Sequence, residues 1–178
     1  MKINVCVADE SHAVYAQQIC DLVYVSAQER GTGIAKRTPE YIAQKMKVGK
    51  AVIALTEEGE LAGFAYVETW SHTLFVANSG LIVAHKFRKT GLAKRIKQEV
   101  FNLSRRKYPD AKIFSITTGA AVMKINSDMG FRPVPFSELT DDAEFWAGCK
   151  GCKNFDILER NNYKMCLCTG LLYDPADK

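Results

Sequence analysis

Residues 79–100, SGLIVAHKFRKTGLAKRIKQEV, constrain the fold more than any other stretch of the chain. The apolar run at residues 81–83 is typical of a buried strand, and a basic turn follows it. From Thr90 on, Leu92, Ile96 and Val100 recur every four residues among charged side chains, which predicts a helix with one apolar face. The stretch therefore predicts a strand that passes through a basic turn directly into a helix.

The turn carries Arg88, Gly91 and Ala93 in the spacing Arg-x-x-Gly-x-Ala. The first amides of a helix have no partner within the helix, and the helix dipole is positive at that end. Gly91 lets the backbone approach a ligand closely, and Ala93 keeps the first turn uncrowded. The join between strand and helix is therefore a candidate anion site, and the alternative is a basic turn that binds nothing.

Strands and helices alternate along the rest of the chain. The patterns predict strands over residues 2–8, 51–55, 61–70, 73–83, 112–116, 131–134 and 164–172, and helices over residues 12–28, 39–49, 90–106 and 120–129. This order predicts an α/β fold with a mixed sheet flanked by helices. The length of 178 residues predicts a single domain over residues 1–178, with a cysteine-rich extension at about residues 140–178.

The turn resembles the acyl-CoA-binding motif of the GNAT N-acetyltransferases, Arg/Gln-x-x-Gly-x-Gly/Ala, and the predicted element order resembles the GNAT fold. The segment Gly130-Phe131-Arg132-Pro133-Val134 is similar to the late Gly-Phe segment of that family. The resemblance covers roughly residues 1–135. It implies that a CoA pyrophosphate binds the backbone of the turn and that the pantetheine arm pairs with the strand end. The residues implied are Ile82, Val83, Arg88, Lys89, Thr90, Gly91, Leu92 and Ala93.

Three further stretches resemble the acetyltransferase domain of N-acetylglutamate synthases. They are an elbow at residues 33–40, Ile116-Thr117-Thr118 with the segment at 129–134, and residues 136–139. A short insertion between Thr118 and Gly130 departs from that pattern. The resemblance implies glutamate as the acceptor, with Lys36 and Arg37 as its contacts, because a guanidinium can grip a carboxylate through two parallel hydrogen bonds. A solvated charge pair at the helix entry is the alternative for these two residues.

The acid and the base of such a reaction are harder to assign. Many GNAT enzymes have a tyrosine a few residues before the Phe of Gly-Phe, where it protonates the thiolate, and the position that aligns with it here is Asn126. Glu68, near the end of a predicted strand, is a candidate base acting through a water, with an ordinary strand-end carboxylate as the alternative. His85 is interpreted as a turn residue.

The six cysteines fall into two groups. Cys6 and Cys20 lie on elements with apolar faces, so we expect them to pack in the core. Cys149-x-x-Cys152 and Cys166-x-Cys168 form the other group, and four thiolates are the ligands of a structural zinc site. A redox pair at Cys149 and Cys152, or four unlinked thiols, are the alternatives.

Composition limits the partners. The net charge of +4 is modest, and its Lys and Arg residues cluster around the turn, which favours a local anionic ligand over a nucleic acid. No secretory signal and no apolar run of membrane-spanning length is present, so the expectation is a cytoplasmic protein without membrane contact.

The resemblance then implies an acyl-CoA-dependent N-acyltransferase of arginine biosynthesis that uses acetyl-CoA or succinyl-CoA and acts on a small-molecule amine, as a homodimer in common with many proteins of this fold. Two alternatives stay open. One is an acetyltransferase for another amine, such as a polyamine, an aminoglycoside or a protein N-terminus. The other is a binding module that holds CoA without turnover.

Overall fold

A computed structural model describes residues 2–31 and 35–177 of the chain. Gly33 and Ile34, part of the predicted elbow, lie outside the described residues. The strands are β1 (Ile3–Val7), β2 (Ala51–Thr56), β3 (Leu61–Trp70), β4 (Phe75–Val83), β5 (Lys112–Thr117), β6 (Arg132–Val134) and β7 (Thr169–Tyr173). The helices are α1 (Ala16–Arg30), α2 (Pro39–Lys47), α3 (Leu92–Lys107), α4 (Ala120–Asp128), α5 (Ala143–Ala147) and α6 (Phe155–Arg160).

The strands form one mixed sheet in the order β1-β2-β3-β4-β5-β7-β6. Strands β4 and β5 run parallel, and the other neighbours run antiparallel. The α/β fold with a mixed central sheet is confirmed. The segment at 140–178 supplies β7, which lies between β5 and β6, so the cysteine-rich region completes the sheet.

Helices cover both faces of the sheet. Helix α3 packs its apolar stripe on one face, where Leu92, Ile96 and Val100 are buried as their spacing predicts. Helices α1 and α2 pack on the opposite face, around Ile19, Ile42 and Met46 and the other members of that core cluster. None of the helices in the described residues is both long and apolar enough to span a membrane.

Local chemistry explains where several elements begin. Thr38 caps α2 by accepting a hydrogen bond from the amide of Tyr41, with Pro39 at the first helical position. The predicted helix from residue 12 begins instead as a 3-10 helix over Glu10–Tyr15, capped by Asp9, and becomes α-helical only at Ala16. Strand β4 begins at Phe75 rather than at residue 73, because Ser71, His72 and Thr73 all have positive φ in the preceding turn.

The prediction of a last strand over residues 164–172 was wrong in its first half. Strand β7 begins at Thr169, and the chain before it runs through turns in which Asn162 and Tyr163 have positive φ. Cys166 and Cys168 therefore precede the strand, and the argument that they share one of its faces does not hold.

Strands β4 and β5 pair over only a short part of their length. Phe75, Val76 and Ala77 are in register with Lys112, Ile113 and Phe114, and no pairing between the two strands follows Ala77 and Phe114 in the described residues. From there the two strands diverge, while β4 keeps pairing with β3 and β5 with β7. The sheet therefore has an opening near its middle, and this opening positions the site.

Candidate active site

A cavity of about 580 Å³ lies at the opening between β4 and β5. Its walls come from β3, from both diverging strands, from the elbow with α2, and from the cysteine-rich segment. Residues on these walls include Arg37, Tyr41, Tyr66, Glu68, Gly80, Ile82, Thr117, Cys149, Cys152 and Cys168. The cavity thus collects several of the predicted site residues from distant parts of the chain.

A bulge in β4 faces this cavity at Gly80. Gly80 has φ +66°, and the β3–β4 register shifts opposite it, between Phe64 and Tyr66. A Cβ atom at Gly80 would lie 2.6 Å from Cε1 of Tyr66, so only glycine lets the tyrosine ring lie against the strand. The bulge turns the backbone of β4 toward the cavity and places Tyr66 over it.

Arg37 is held in the cavity by aromatic residues. Its Nε atom donates a hydrogen bond of 2.7 Å to the hydroxyl of Tyr66, and its guanidinium lies 5.5 Å from the ring centre of Tyr41. Its Nη1 atom donates to the carbonyl of Lys36. Within the described residues no carboxylate forms an ion pair with Arg37. Its charge is therefore available to a bound anion.

Lys36 and Arg37 differ in position although they are neighbours. Both contribute to the cavity wall, but Lys36 is exposed and Arg37 is partly buried. The resemblance assigns both residues to the acceptor. The structure favours Arg37, because a hydrogen bond to Tyr66 orients its partly buried side chain.

Glu68 lies in the cavity, and its carboxylate already has two side-chain partners. Its carboxylate pairs with Lys45 and accepts a hydrogen bond of 2.6 Å from the hydroxyl of Tyr41. Burial opposes its ionisation, but the hydrogen bonds from Lys45 and Tyr41 outweigh burial and hold the pKa of Glu68 below its usual value. Glu68 is thus an ionised, anchored carboxylate. Its role as a base stays a prediction.

The basic turn after β4 has the backbone that an anion site requires. Gly91 has φ +82° and immediately precedes α3, which begins at Leu92. A Cβ atom at Gly91 would meet no described atom within 4 Å, so the space in front of the helix amides is open. Glycine is needed here for its left-handed conformation, and the open space suits the approach of a ligand.

The side chain of Arg88 extends away from the amides at the start of α3. Its guanidinium donates to Ser26 Oγ at 3.0 Å and to Glu29 at 2.9 Å, both on α1, and its Nε donates to the carbonyl of Val83 at 3.2 Å. The side chain therefore ties the end of α1 to the end of β4. In this arrangement the Arg88 side chain is engaged by Val83 and α1, so the open space in front of α3 is bordered by the backbone of the turn.

Asn126 does not line the cavity. It is fully buried on α4, and its side-chain oxygen and nitrogen have no hydrogen-bond partner in the described residues. Val122, one turn earlier on the same helix, lines the cavity instead. The catalytic role assigned to Asn126 stays a prediction that this geometry does not favour.

The four C-terminal cysteines are partly buried and carry free thiols. Burial, with the neighbouring thiols as a lesser cause, raises the pKa of Cys149 to about 11 and that of Cys168 to about 12. In the described residues no group of three or more His, Cys, Asp or Glu side chains is arranged to hold a metal ion. Zinc at these thiols thus gains no support from the structure and stays a prediction.

The sequence patterns did not identify two tyrosines of the cavity, Tyr41 and Tyr66, as site residues. A signal for one of them was present, because alternation along β3 puts Tyr66 on the same face as Glu68. Burial raises the pKa of Tyr66 against the opposing effect of Arg37, so its hydroxyl keeps its proton at neutral pH.

No protein-family model matches the sequence, and a comparison with curated proteins gives no match either. Solved structures do match. The N-acetylglutamate synthase from Neisseria gonorrhoeae, complexed with coenzyme A and N-acetyl-glutamate, superposes with a TM-score of 0.69 at 17% identity. The match covers 98% of this chain and 35% of that one, so this chain spans about a third of its length.

Two further structures agree over most of both chains. A Mycobacterium tuberculosis protein solved with CoA has a TM-score of 0.67 at 14% identity, over 96% of this chain and 98% of that one. The diaminobutyrate acetyltransferase from Paenibacillus lautus, in complex with L-2,4-diaminobutyric acid and coenzyme A, has a TM-score of 0.63 at 11% identity, over 98% and 95%. The chain therefore has the fold of the GNAT N-acetyltransferases.

Proposed function

We propose that this protein is an acyl-CoA-dependent N-acyltransferase whose acceptor is a small amine that carries a carboxylate, with glutamate as the first candidate. The observation that carries the acceptor class is Arg37, a cation directed into the cavity by Tyr66 and without a carboxylate partner in the described residues. A guanidinium in such a position binds a carboxylate well.

The donor is acyl-CoA because two features of the fold suit its two ends. The open turn before α3 offers helix amides to the pyrophosphate. The diverging part of β4, from Asn78 to Val83, offers a strand edge to the pantetheine amides. Proteins with the same fold are solved with CoA bound. Acetyl is the first candidate for the acyl group, and succinyl is the alternative.

The reaction is a direct transfer. The uncharged amine of the acceptor attacks the thioester carbon, the new carbon–nitrogen bond forms, and the carbon–sulfur bond breaks to release CoA. The backbone amides of Ile82 and Val83, which follow the bulge at Gly80 on β4, polarise the thioester carbonyl. Most of the acceleration then comes from positioning and from preorganised dipoles.

A cationic acceptor such as a polyamine fits less well. Among the described residues, the cavity wall carries three cations, Arg30, Lys36 and Arg37, and two carboxylates, Glu68 and Glu144. Lys45 compensates the carboxylate of Glu68. The excess of positive charge would weaken the binding of a polyamine. The cavity charge therefore favours an acceptor with at least one carboxylate.

A thiol-release assay tests the proposal. Acetyl-CoA and succinyl-CoA are each offered with glutamate, with aspartate, with glutamine and with spermidine. We expect release with glutamate and little or none with spermidine, and the faster donor identifies the acyl group. Release with spermidine alone would overturn the acceptor class. CoA binding without release to any amine would overturn the enzymatic proposal and favour a binding module.

A further inference from the structure

The departing CoA sulfur needs a proton, and the position that family resemblance assigns to this task does not face the cavity. Transfer of the acyl group leaves a thiolate that must be protonated to complete the reaction. Asn126 is fully buried and lies outside the cavity wall, and an amide side chain is no proton donor at neutral pH. A side-chain donor within the cavity would therefore have to come from another element.

We propose that Tyr66 on β3 is the proton donor to the departing thiolate, an inference that rests on the proposed acyltransferase function. Its ring lies against Gly80, at the bulge where β4 turns toward the opening between the strands. The acyl-CoA chain proposed along the edge of β4 passes this point. Tyr66 is thus the phenol that lies directly over the strand segment assigned to the thioester.

The surroundings of Tyr66 suit the transfer of its proton. Its hydroxyl accepts the hydrogen bond of Arg37 Nε at 2.7 Å, which leaves the hydroxyl hydrogen free to point toward another acceptor. When the proton has left, the same guanidinium stabilises the phenolate by a charge-assisted hydrogen bond. The side chain is almost completely buried, which disfavours the phenolate and raises the pKa of Tyr66, and the guanidinium of Arg37 opposes this effect with little screening by water.

Neighbouring residues fix the orientation of Tyr66. The ring of Tyr41 packs edge-on against it, with 5.7 Å between ring centres, and the Tyr41 hydroxyl is held by Glu68. Glu68 is held in turn by Lys45. The side chains of Lys45, Glu68 and Tyr41 thus form a positioning network, and the ring of Tyr66 is the one that lies against the bulge at Gly80.

The step balances. The nitrogen of the acceptor loses one proton to solvent as the amide forms, and the thiolate takes one proton from the Tyr66 hydroxyl as the carbon–sulfur bond breaks. The Tyr66 phenolate then recovers a proton from water when the cavity opens to solvent. The products are the N-acyl compound and CoA with a free thiol, without any oxidant or reductant.

The substitution Tyr66→Phe tests this role, because phenylalanine keeps the ring against Gly80 and removes only the hydroxyl. We expect kcat to fall by about 100-fold or more, the range found for a lost general acid, while the Kd for CoA stays unchanged. We also expect the wild-type enzyme to show a solvent deuterium isotope effect on kcat that the variant lacks. The matched control is Tyr15→Phe, which removes a hydroxyl bound to the carbonyl of Gly59 outside the cavity and should leave kcat unchanged.

The outcomes separate this inference from the proposed function. A wild-type enzyme that transfers the acyl group, together with a Tyr66→Phe variant of undiminished kcat, would overturn the role of Tyr66 and leave the function standing. A wild-type protein that binds CoA but acylates no amine would overturn both. A fall in kcat with an unchanged Kd for CoA and a lost isotope effect would support the role.

Discussion

The hydrogen bond of 2.7 Å from Arg37 Nε to the hydroxyl of Tyr66 joins the elbow before α2 to the middle of β3. The two residues are 29 positions apart in the chain, and both line the cavity between the diverging strands. The bond directs the cation into the cavity and places it beside the buried phenol. In the proposed reaction the same guanidinium therefore serves the acceptor carboxylate and the proton donor.

Substitution of Gly91 should weaken CoA binding. Gly91→Ala has room for its methyl group but must adopt φ +82°, which costs about 1–2 kcal/mol in an L-residue. The turn can relieve this strain by changing its backbone conformation, and that change displaces the amides at the start of α3. We expect the Kd for CoA, measured by calorimetry, to rise by about tenfold.

A matched control for this prediction is Gly151→Ala. Gly151 lies outside the cavity wall and also has open space around its Cβ position, but its φ is not positive, so alanine adopts its backbone conformation without strain. This variant should bind CoA like the wild type. Equal effects of the two substitutions on the Kd would contradict the role of the turn.

Lys97 should make the stability of the fold depend on pH. It is buried between α3 and the sheet, its Nζ donates to Asn78 Oδ1 at 3.1 Å, and burial lowers its pKa to about 7. In the unfolded chain the pKa of lysine is about 10.4. Between these two values the unfolded state binds a proton that the folded state does not, so stability rises as the pH increases from 7 toward 10.

Urea unfolding at pH 7 and pH 9 measures this effect. The variant Lys97→Met should lack the part of the pH dependence due to this lysine, about 2 kcal/mol between the two pH values. The exposed Lys94 on the same helix supplies the control, since Lys94→Met should keep the wild-type dependence. An identical pH dependence in Lys97→Met and the wild type would show that the buried amine is not deprotonated on folding.

The fold was predictable from the sequence because its signals are local. The helix of α3 follows from apolar residues at a spacing of four, and the N-cap of α2 follows from Thr38 and Pro39. The Gly-containing turn before α3 was equally visible. Each of these features depends on neighbours in the chain, so no tertiary contact is needed to infer it.

The site was less predictable because its contacts are between distant segments. Nothing in the sequence links Arg37 to Tyr66, or Lys45 to Glu68, and these contacts decide which groups are free and which are engaged. The brace formed by Arg88 with Ser26 likewise depends on the packing of α1 beside β4. The placement of Cys166 and Cys168 on a strand failed because turns with positive φ interrupt the chain before Thr169.

The partly buried thiols of Cys149 and Cys168 should react slowly with an alkylating agent. Cys149 and Cys168 have a raised pKa, to about 11 and about 12, and only the thiolate is nucleophilic. At pH 8 we expect iodoacetamide to modify these two residues much more slowly than in the urea-unfolded chain, as measured by peptide mass spectrometry. The rate should rise about tenfold with each unit of pH below the pKa.

Metal analysis of the same sample tests the predicted zinc ion. One bound zinc per chain would keep the four thiols unreactive at every pH and would support the prediction made from the sequence. Rapid alkylation of Cys149 and Cys168 at pH 8 would contradict the raised pKa of these thiols.

The acceptor kinetics of Arg37→Ala test the central claim most directly, with Lys36→Ala as the control on the neighbouring, more exposed residue. Loss of a charge-assisted contact predicts that the KM for glutamate rises by about 10- to 100-fold in Arg37→Ala, while the KM for acyl-CoA stays close to the wild-type value. Lys36→Ala should change the KM for glutamate much less. Equal increases in both KM values of Arg37→Ala, or an unchanged KM for glutamate, would contradict the proposal that Arg37 binds the acceptor carboxylate.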